Sequence, residues 1–168
     1  MAGQLVERYG DDELASLTLL GIRTRGLPLA ERLAVHVKEM EDVDVPLGAL
    51  DITFYRDDLS VIGPQPVVKG TKLPGSIEDR IVVLCDDVLY TGRTVRAALD
   101  ELADYGRARA VVLAVLVDRG LRELPIQADI VGKVLTTDRS EHVEVGFTSV
   151  DGADYVKLLE RRASKTEN

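Results

Sequence analysis

Asp86 and Asp87 stand at the end of an apolar run, Ile81-Val82-Val83-Leu84-Cys85, and Thr91-Gly92-Arg93-Thr94 follows shortly after. A run of this length and composition predicts a strand buried on both faces, with the two acids at its carboxyl end. A helical pattern then begins, with Val95, Ala98, Leu99 and Leu102 on one face. Ligands of open parallel sheets bind beyond the carboxyl ends of the strands. A small polar loop feeding a helix N-terminus offers N–H groups and a favourable dipole to a phosphate. An adjacent pair of carboxylates accepts hydrogen bonds from a vicinal diol. Diol and phosphate together describe a ribose 5-phosphate.

The elements that must position these residues alternate between strand and helix, the pattern of a parallel sheet. Leu17–Ile22 reads as a strand. Leu27–Met40 reads as a helix, with Pro28 near its start and Leu29, Leu33, Val37 and Met40 on one face. Leu47–Tyr55 reads as a second strand and Ile81–Cys85 as a third. The helix Thr94–Tyr105 is closed by Gly106, and Val111–Val117 is a further strand. A right-handed crossover through that helix sets the last two strands parallel.

Two other segments carry polar groups suited to a ligand. Gly21-Ile22-Arg23-Thr24-Arg25-Gly26 joins the first strand to the first helix. Its glycines permit backbone N–H groups to face a ligand, and Thr24 and Arg25 add donors; a plain strand-to-helix turn is the simpler alternative. Residues 56–79 hold three Pro and three Gly with little periodicity, too long for a casual connection in a compact domain. Asp118-Arg119-Gly120 follows the Val111–Val117 strand and so also falls at the carboxyl edge, where a capped turn with an Arg–carboxylate pair would suffice. His36, mid-helix, reads as a half-buried structural residue, and His142 adjoins Val143.

At 168 residues the chain has room for one domain with a substantial core. No apolar run approaches a membrane span, and the opening residues do not form a signal peptide. Cys85 reads as a small core hydrophobe; as the lone cysteine it permits no internal disulfide, and it suits a cytoplasmic protein. One Cys and two distant His do not make a zinc site. The net charge of −8 argues against strong unselective binding to nucleic acid, although Arg23, Arg25, Arg56, Lys69, Lys72, Arg93 and Arg96 gather in or near the candidate loops.

Val82–Thr94 resembles the phosphoribosyl-pyrophosphate (PRPP) motif of the type I phosphoribosyltransferases. Asp-Asp-Val-Leu-Tyr-Thr-Gly-Arg-Thr-Val-Arg-Ala is most similar to the PyrR branch, the pyrimidine-operon attenuation regulators that are also uracil phosphoribosyltransferases. Gly21–Gly26, Asp51–Leu59, Leu116–Gly120 and Arg122–Ile126 match that branch in order and spacing, so the resemblance covers roughly residues 15–160. It implies an α/β fold with a central, mostly parallel sheet, flanking helices and a small hood, all in one domain over residues 1–168. Within it, residues 1–10 would be the remnant of a longer N-terminal helix, 56–79 a flexible loop closing over pyrophosphate, and 160–168 a frayed tail.

The resemblance also implies roles. The 5-phosphate of PRPP would lie on Thr91, Gly92, Arg93 and Thr94, beside Val88, Leu89 and Tyr90, and its ribose hydroxyls on Asp86 and Asp87. Magnesium pyrophosphate would lie by Thr24 and Arg25, with Arg56 as a catalytic charge from the flexible loop. Uracil would lie against Asp118, Arg119 and the backbone of Val143; Tyr90 stands where related purine enzymes carry an acid. UMP or UTP would promote binding to leader RNA through Arg122 and Lys133, and the chain would form a homodimer or higher homo-oligomer. Family members commonly read His-Arg-Glu-Leu-Pro-Ile-Arg where this chain has Leu121-Arg122-Glu123-Leu124-Pro125-Ile126-Gln127. That departure keeps open a uracil phosphoribosyltransferase without effective RNA binding. A two-component receiver domain is the other alternative, but its acid pair normally ends the first strand of the fold.

Overall fold

The computed structural model describes residues 1–53 and 70–160. Arg56, Lys69, residues 54–59 of the family-like motif and the tail 161–168 lie outside the described residues. Five strands form one sheet in the order β2-β1-β3-β4-β5, with every neighbouring pair parallel. They are β1 (Leu17–Ile22), β2 (Leu47–Leu50), β3 (Ile81–Leu89), β4 (Ala110–Asp118) and β5 (Ile130–Val134). Helix α1 (Ala2–Leu14) leads in, α2 (Gly26–Glu41) joins β1 to β2, and α3 (Arg93–Ala103) joins β3 to β4. An antiparallel pair, β6 (Glu141–Gly146) and β7 (Tyr155–Glu160), closes the chain, with the short α4 (Thr148–Asp151) between them.

The apolar runs are continuous because both faces of the sheet are covered. Along β3, Ile81, Val83 and Cys85 enter one core with Leu29, Leu33 and Val37 of α2, while Val82 and Leu84 enter a second with Val95, Ala98 and Leu102 of α3. Helix α1 belongs to the first core, where Leu5 and Leu14 are fully buried; its helical geometry is broken at Gly10. From β6 and the turn after it, Val143, Val145 and Phe147 join the same core.

Several expectations need correction. Strand β3 runs through the acid pair to Leu89, so Asp86 pairs in register with Val115 rather than following the strand. Strand β2 stops at Leu50, and the Asp51 carboxylate then accepts a hydrogen bond from the Thr53 N–H at 3.1 Å. Met40 and Leu99 are 52% and 39% exposed, off the faces that bury Val37 and Leu102. Ala97 and Glu101 of α3 are buried instead. His36 is exposed, its Nδ1 3.0 Å from Glu39 Oε2. Within the stretch expected to be a flexible loop, Lys72 bridges to Ala49 through two 2.8 Å backbone hydrogen bonds and Ile77 is fully buried. Glu160 belongs to β7.

Candidate active site

Strands β1 and β3 are neighbours, yet their following helices cover opposite faces of the sheet. The strand order reverses there, which opens a crevice beyond the carboxyl ends of both strands. The loop after β1 carries Arg23, Thr24 and Arg25. The loop after β3 carries Tyr90, Thr91 and Gly92. Two segments some 65 residues apart thus meet at one switch point, held together by the Gly21↔Cys85 register.

The two glycines of the first loop serve a closer purpose than exposing N–H groups. A Cβ on Gly26 would lie 2.1 Å from the Cys85 carbonyl oxygen, and one on Gly21 would lie 2.3 Å from Leu27 Cα. Helix α2 therefore starts almost against β3, immediately before the acid pair. Thr24 is exposed and the Arg23–Thr24 peptide is cis. Arg23 lines a cavity of about 330 Å³ with Thr24, Glu31 and Ser149, and its Nε is buried without a partner. Arg25 is bound by Asp151: Nη2 donates to Oδ1 at 2.8 Å and Nε to Oδ2 at 3.2 Å. That ion pair raises the Arg25 pKa and holds the Asp151 carboxyl below the usual carboxylate range, helped by the Phe147 N–H.

Asp86 is 6% exposed, and its Oδ1 accepts the Asp87 N–H at 3.0 Å. Asp87 is half-buried and accepts the Val88 N–H at 2.9 Å. Both carboxylates thus have one oxygen anchored by the backbone. Behind them the Cys85 thiol is pushed upward by burial and then by the Asp86 charge, which leaves it an inert core group. Beyond Leu89, Thr91 Oγ1 accepts the Arg93 N–H, and Gly92 takes a φ of 93° to turn into α3. The first turn of α3 lies where an anion would be favoured.

The segment after β4 is clamped onto this loop. The Thr91 carbonyl accepts the N–H groups of Glu123 and Leu124 at 3.0 and 3.1 Å, and Arg93 Nε donates to Glu123 Oε2 at 3.0 Å. Arg122, expected on the RNA face, sends its guanidinium inward. It donates to the carbonyls of Tyr90, Gly120 and Ile126 and to Asp118 Oδ2, the last at 2.6 Å. Asp118 also accepts the Gly120 N–H at 2.9 Å. Asp118 and Arg122 therefore have the geometry of the simpler alternative, a capped turn with an Arg–carboxylate pair.

Arg119 is 4% exposed; it stacks 4.2 Å over the Tyr90 ring and donates to Thr137 Oγ1 and the carbonyls of Asp138 and Glu141. Asp118 and Arg119 line a cavity of about 570 Å³ with Gln127 and Thr137. Val143 is buried on β6, opposite Leu158, while His142 and Lys133 are exposed. Two residues missed by sequence reasoning are Asp151 and Asp154. Asp154 pairs with Arg32 and accepts the Thr148 N–H, which together hold its carboxyl far below the usual range. Arg25 and Asp151 are 126 positions apart, and no local pattern announces such a pair.

An acid pair near the carboxyl end of a central parallel strand, a Thr-Gly turn feeding the next helix and a polar loop on the adjacent strand define a phosphoribosyltransferase. Residues 1–149 match the phosphoribosyl transferase domain family. The chain belongs, within it, to the PyrR family. It is 54% identical to the bifunctional protein PyrR of Deinococcus radiodurans over 160 residues, covering 95% of this chain and 86% of that one. It is likewise 54% identical to the bifunctional protein PyrR of Thermus thermophilus over 164 residues, covering 98% and 90%. Among solved structures, a hypoxanthine phosphoribosyl transferase of Trypanosoma cruzi superposes with a TM-score of 0.68 at 16% identity, covering 96% of this chain and 83% of that one. A hypoxanthine phosphoribosyltransferase of Staphylococcus aureus gives 0.61 at 23%, covering 92% and 75%. At those identities the likeness establishes the fold.

Proposed function

We propose that this chain converts uracil and PRPP to UMP and pyrophosphate, and that with UMP or UTP bound it attenuates a pyrimidine operon through its leader RNA. The observation that carries the enzymatic reading is the anchored Asp86–Asp87 pair beside the Thr91–Arg93 turn, at the switch point shared with Thr24 and Arg25. In this reading the C1–oxygen bond of PRPP breaks with its electron pair passing to pyrophosphate. Uracil N1 bonds to C1 and gives up its proton to the departing pyrophosphate or to solvent. Asp86 and Asp87 hold the ribose hydroxyls and stabilise positive charge on the sugar, so neither need act as a base. Arg25 and Thr24 hold the departing pyrophosphate.

Magnesium fits this arrangement. It is bound in such sites by phosphate oxygens with one or two carboxylates, and Asp87 offers a half-exposed carboxylate with only Oδ1 engaged by Val88. Bound with PRPP, magnesium neutralises charge on the leaving group. Arg56 is retained as the proposed catalytic charge from residues outside the described set. The Val143 backbone and the cavity beside Asp118 and Arg119 are the proposed uracil side. A cytoplasmic homo-oligomer is the proposed working form; the apolar, half-exposed Val156 and Leu158 of β7 support further association.

A second reading, a uracil phosphoribosyltransferase without effective RNA binding, is favoured by one observation. The guanidinium of Arg122 is already committed to four partners, leaving exposed Lys133 as the cation of the proposed RNA face. Magnesium-dependent UMP formation tests the enzyme: turnover with uracil is expected, and no turnover overturns the catalytic reading. Leader-hairpin binding across a salt series, with UMP demonstrably bound and a scrambled hairpin as control, tests the regulator. Selective, UMP-enhanced binding supports attenuation; weak and unselective binding leaves the enzyme alone.

A further inference from the structure

We infer that Asp151 is a positioning residue for Arg25, aiming its guanidinium at the pyrophosphate half of the site; this rests on the catalytic reading above. Arg25 has five N–H donors in a rigid plane. Asp151 takes one from Nε and one from Nη2, along a single edge of that plane. Among the described residues three donors remain, two on Nη1 and one on Nη2, away from the edge that Asp151 holds. A guanidinium fixed along one edge presents the others to an anion without further loss of side-chain freedom. Asp151 is itself fixed, because Oδ2 also accepts the Phe147 N–H at 2.9 Å. Only 14% of its side chain is exposed, against 38% for Arg25, so the carboxylate is the inner partner and the guanidinium the outer one. The Asp87 charge also acts on the Arg25 cation, more weakly than Asp151 does.

A merely structural role for Asp151 would be to hold the turn between β6 and β7. That turn has its own fastening. Asp154 accepts both the N–H and the hydroxyl of Thr148 and pairs with Arg32, while Phe147 is buried in the core and carries Arg32 over its ring at 5.1 Å. The turn thus has fastenings besides the Asp151–Phe147 hydrogen bond. The pair also joins the β1–α2 loop to the hairpin carrying Val143, so one ion pair links the two ends of the proposed reaction centre.

The test is a kinetic cycle of Asp151→Asn, Arg25→Ala and the double variant, following uracil-dependent UMP formation and its inhibition by pyrophosphate. Asparagine keeps an acceptor for the Phe147 N–H while removing the charge. We expect the KM for PRPP and the inhibition constant for pyrophosphate to rise together, on the order of tenfold, with the KM for uracil unchanged. In the Arg25→Ala background, Asp151→Asn should add nothing. An unchanged KM for PRPP in Asp151→Asn, or an equal effect with and without Arg25, overturns the inference while sparing the catalytic reading. A wild-type protein that makes no UMP overturns both.

Discussion

Replacing Gly26 by alanine tests how the two halves of the site are held at their working distance. The new methyl carbon would stand 2.1 Å from the Cys85 carbonyl oxygen, whereas a relaxed carbon–oxygen contact is about 3.3 Å or more. The obstacle is backbone in the middle of the sheet, so no side chain can swing aside. Helix α2 must withdraw from β3 by roughly an ångström. Overpacking of this kind costs about 1–3 kcal/mol, and in a chain of this size each kcal/mol lowers Tm by about 2–4 °C. We expect Gly26→Ala to melt about 2–12 °C below wild type. It should also lose more UMP formation than the melting change explains, because Arg23–Arg25 move away from Asp86 and a shift near 1 Å can cost about 100-fold. Gly3→Ala is the control: its Cβ would meet only the end of Met40 at 3.8 Å, and alanine favours helix α1. Its Tm should stay level or rise. Wild-type melting and wild-type turnover in Gly26→Ala would refute the packing argument.

Asp87→Asn should lower uracil-dependent UMP formation far more than Tm, since the Val88 N–H keeps an acceptor; unchanged turnover would remove Asp87 from the sugar-binding role. Arg122→Gln should cost roughly 2–4 kcal/mol by stripping a largely buried carboxylate and three carbonyls of their donor, and wild-type melting would contradict the clamp. Asp151 and Asp154 have folded pKa values below the ordinary carboxylate value of 3.8. The unfolded chain therefore binds more protons, so their stabilisation is complete above about pH 4 and is lost as pH falls through the folded values. Thermal melts of Asp154→Asn below pH 4 should show a flatter acid limb than wild type, and parallel limbs would count against the Arg32 pairing.

The sheet was readable because a strand buried on both faces leaves a nearly unbroken apolar run, as in β3 and β4 and, with only Thr18 intervening, in β1. Strand ends were less readable. A run stops being apolar at Asp86, but a parallel ladder continues as long as backbone partners exist, and Val115 to Asp118 supplied them. The acid pair and the Thr91–Thr94 turn were legible because their chemistry lies in adjacent residues. Arg122 was misleading for the opposite reason: a cation in a polar stretch found its partners in Asp118 and in the main-chain oxygens of Tyr90, Gly120 and Ile126, which no residue type reveals. Asp151 was invisible because its meaning exists only once the turn after β6 comes to rest against the loop after β1.

Leu121 sits at a φ of 60°, a left-handed conformation that costs an ordinary side chain roughly 1–2 kcal/mol and that histidine and asparagine visit far more readily. The leucine is therefore a strained choice for this backbone position. A histidine at this position would bring backbone ease and a protonatable group in one substitution, so a gain in stability and a gain in charge toward nucleic acid would come together rather than be traded against each other.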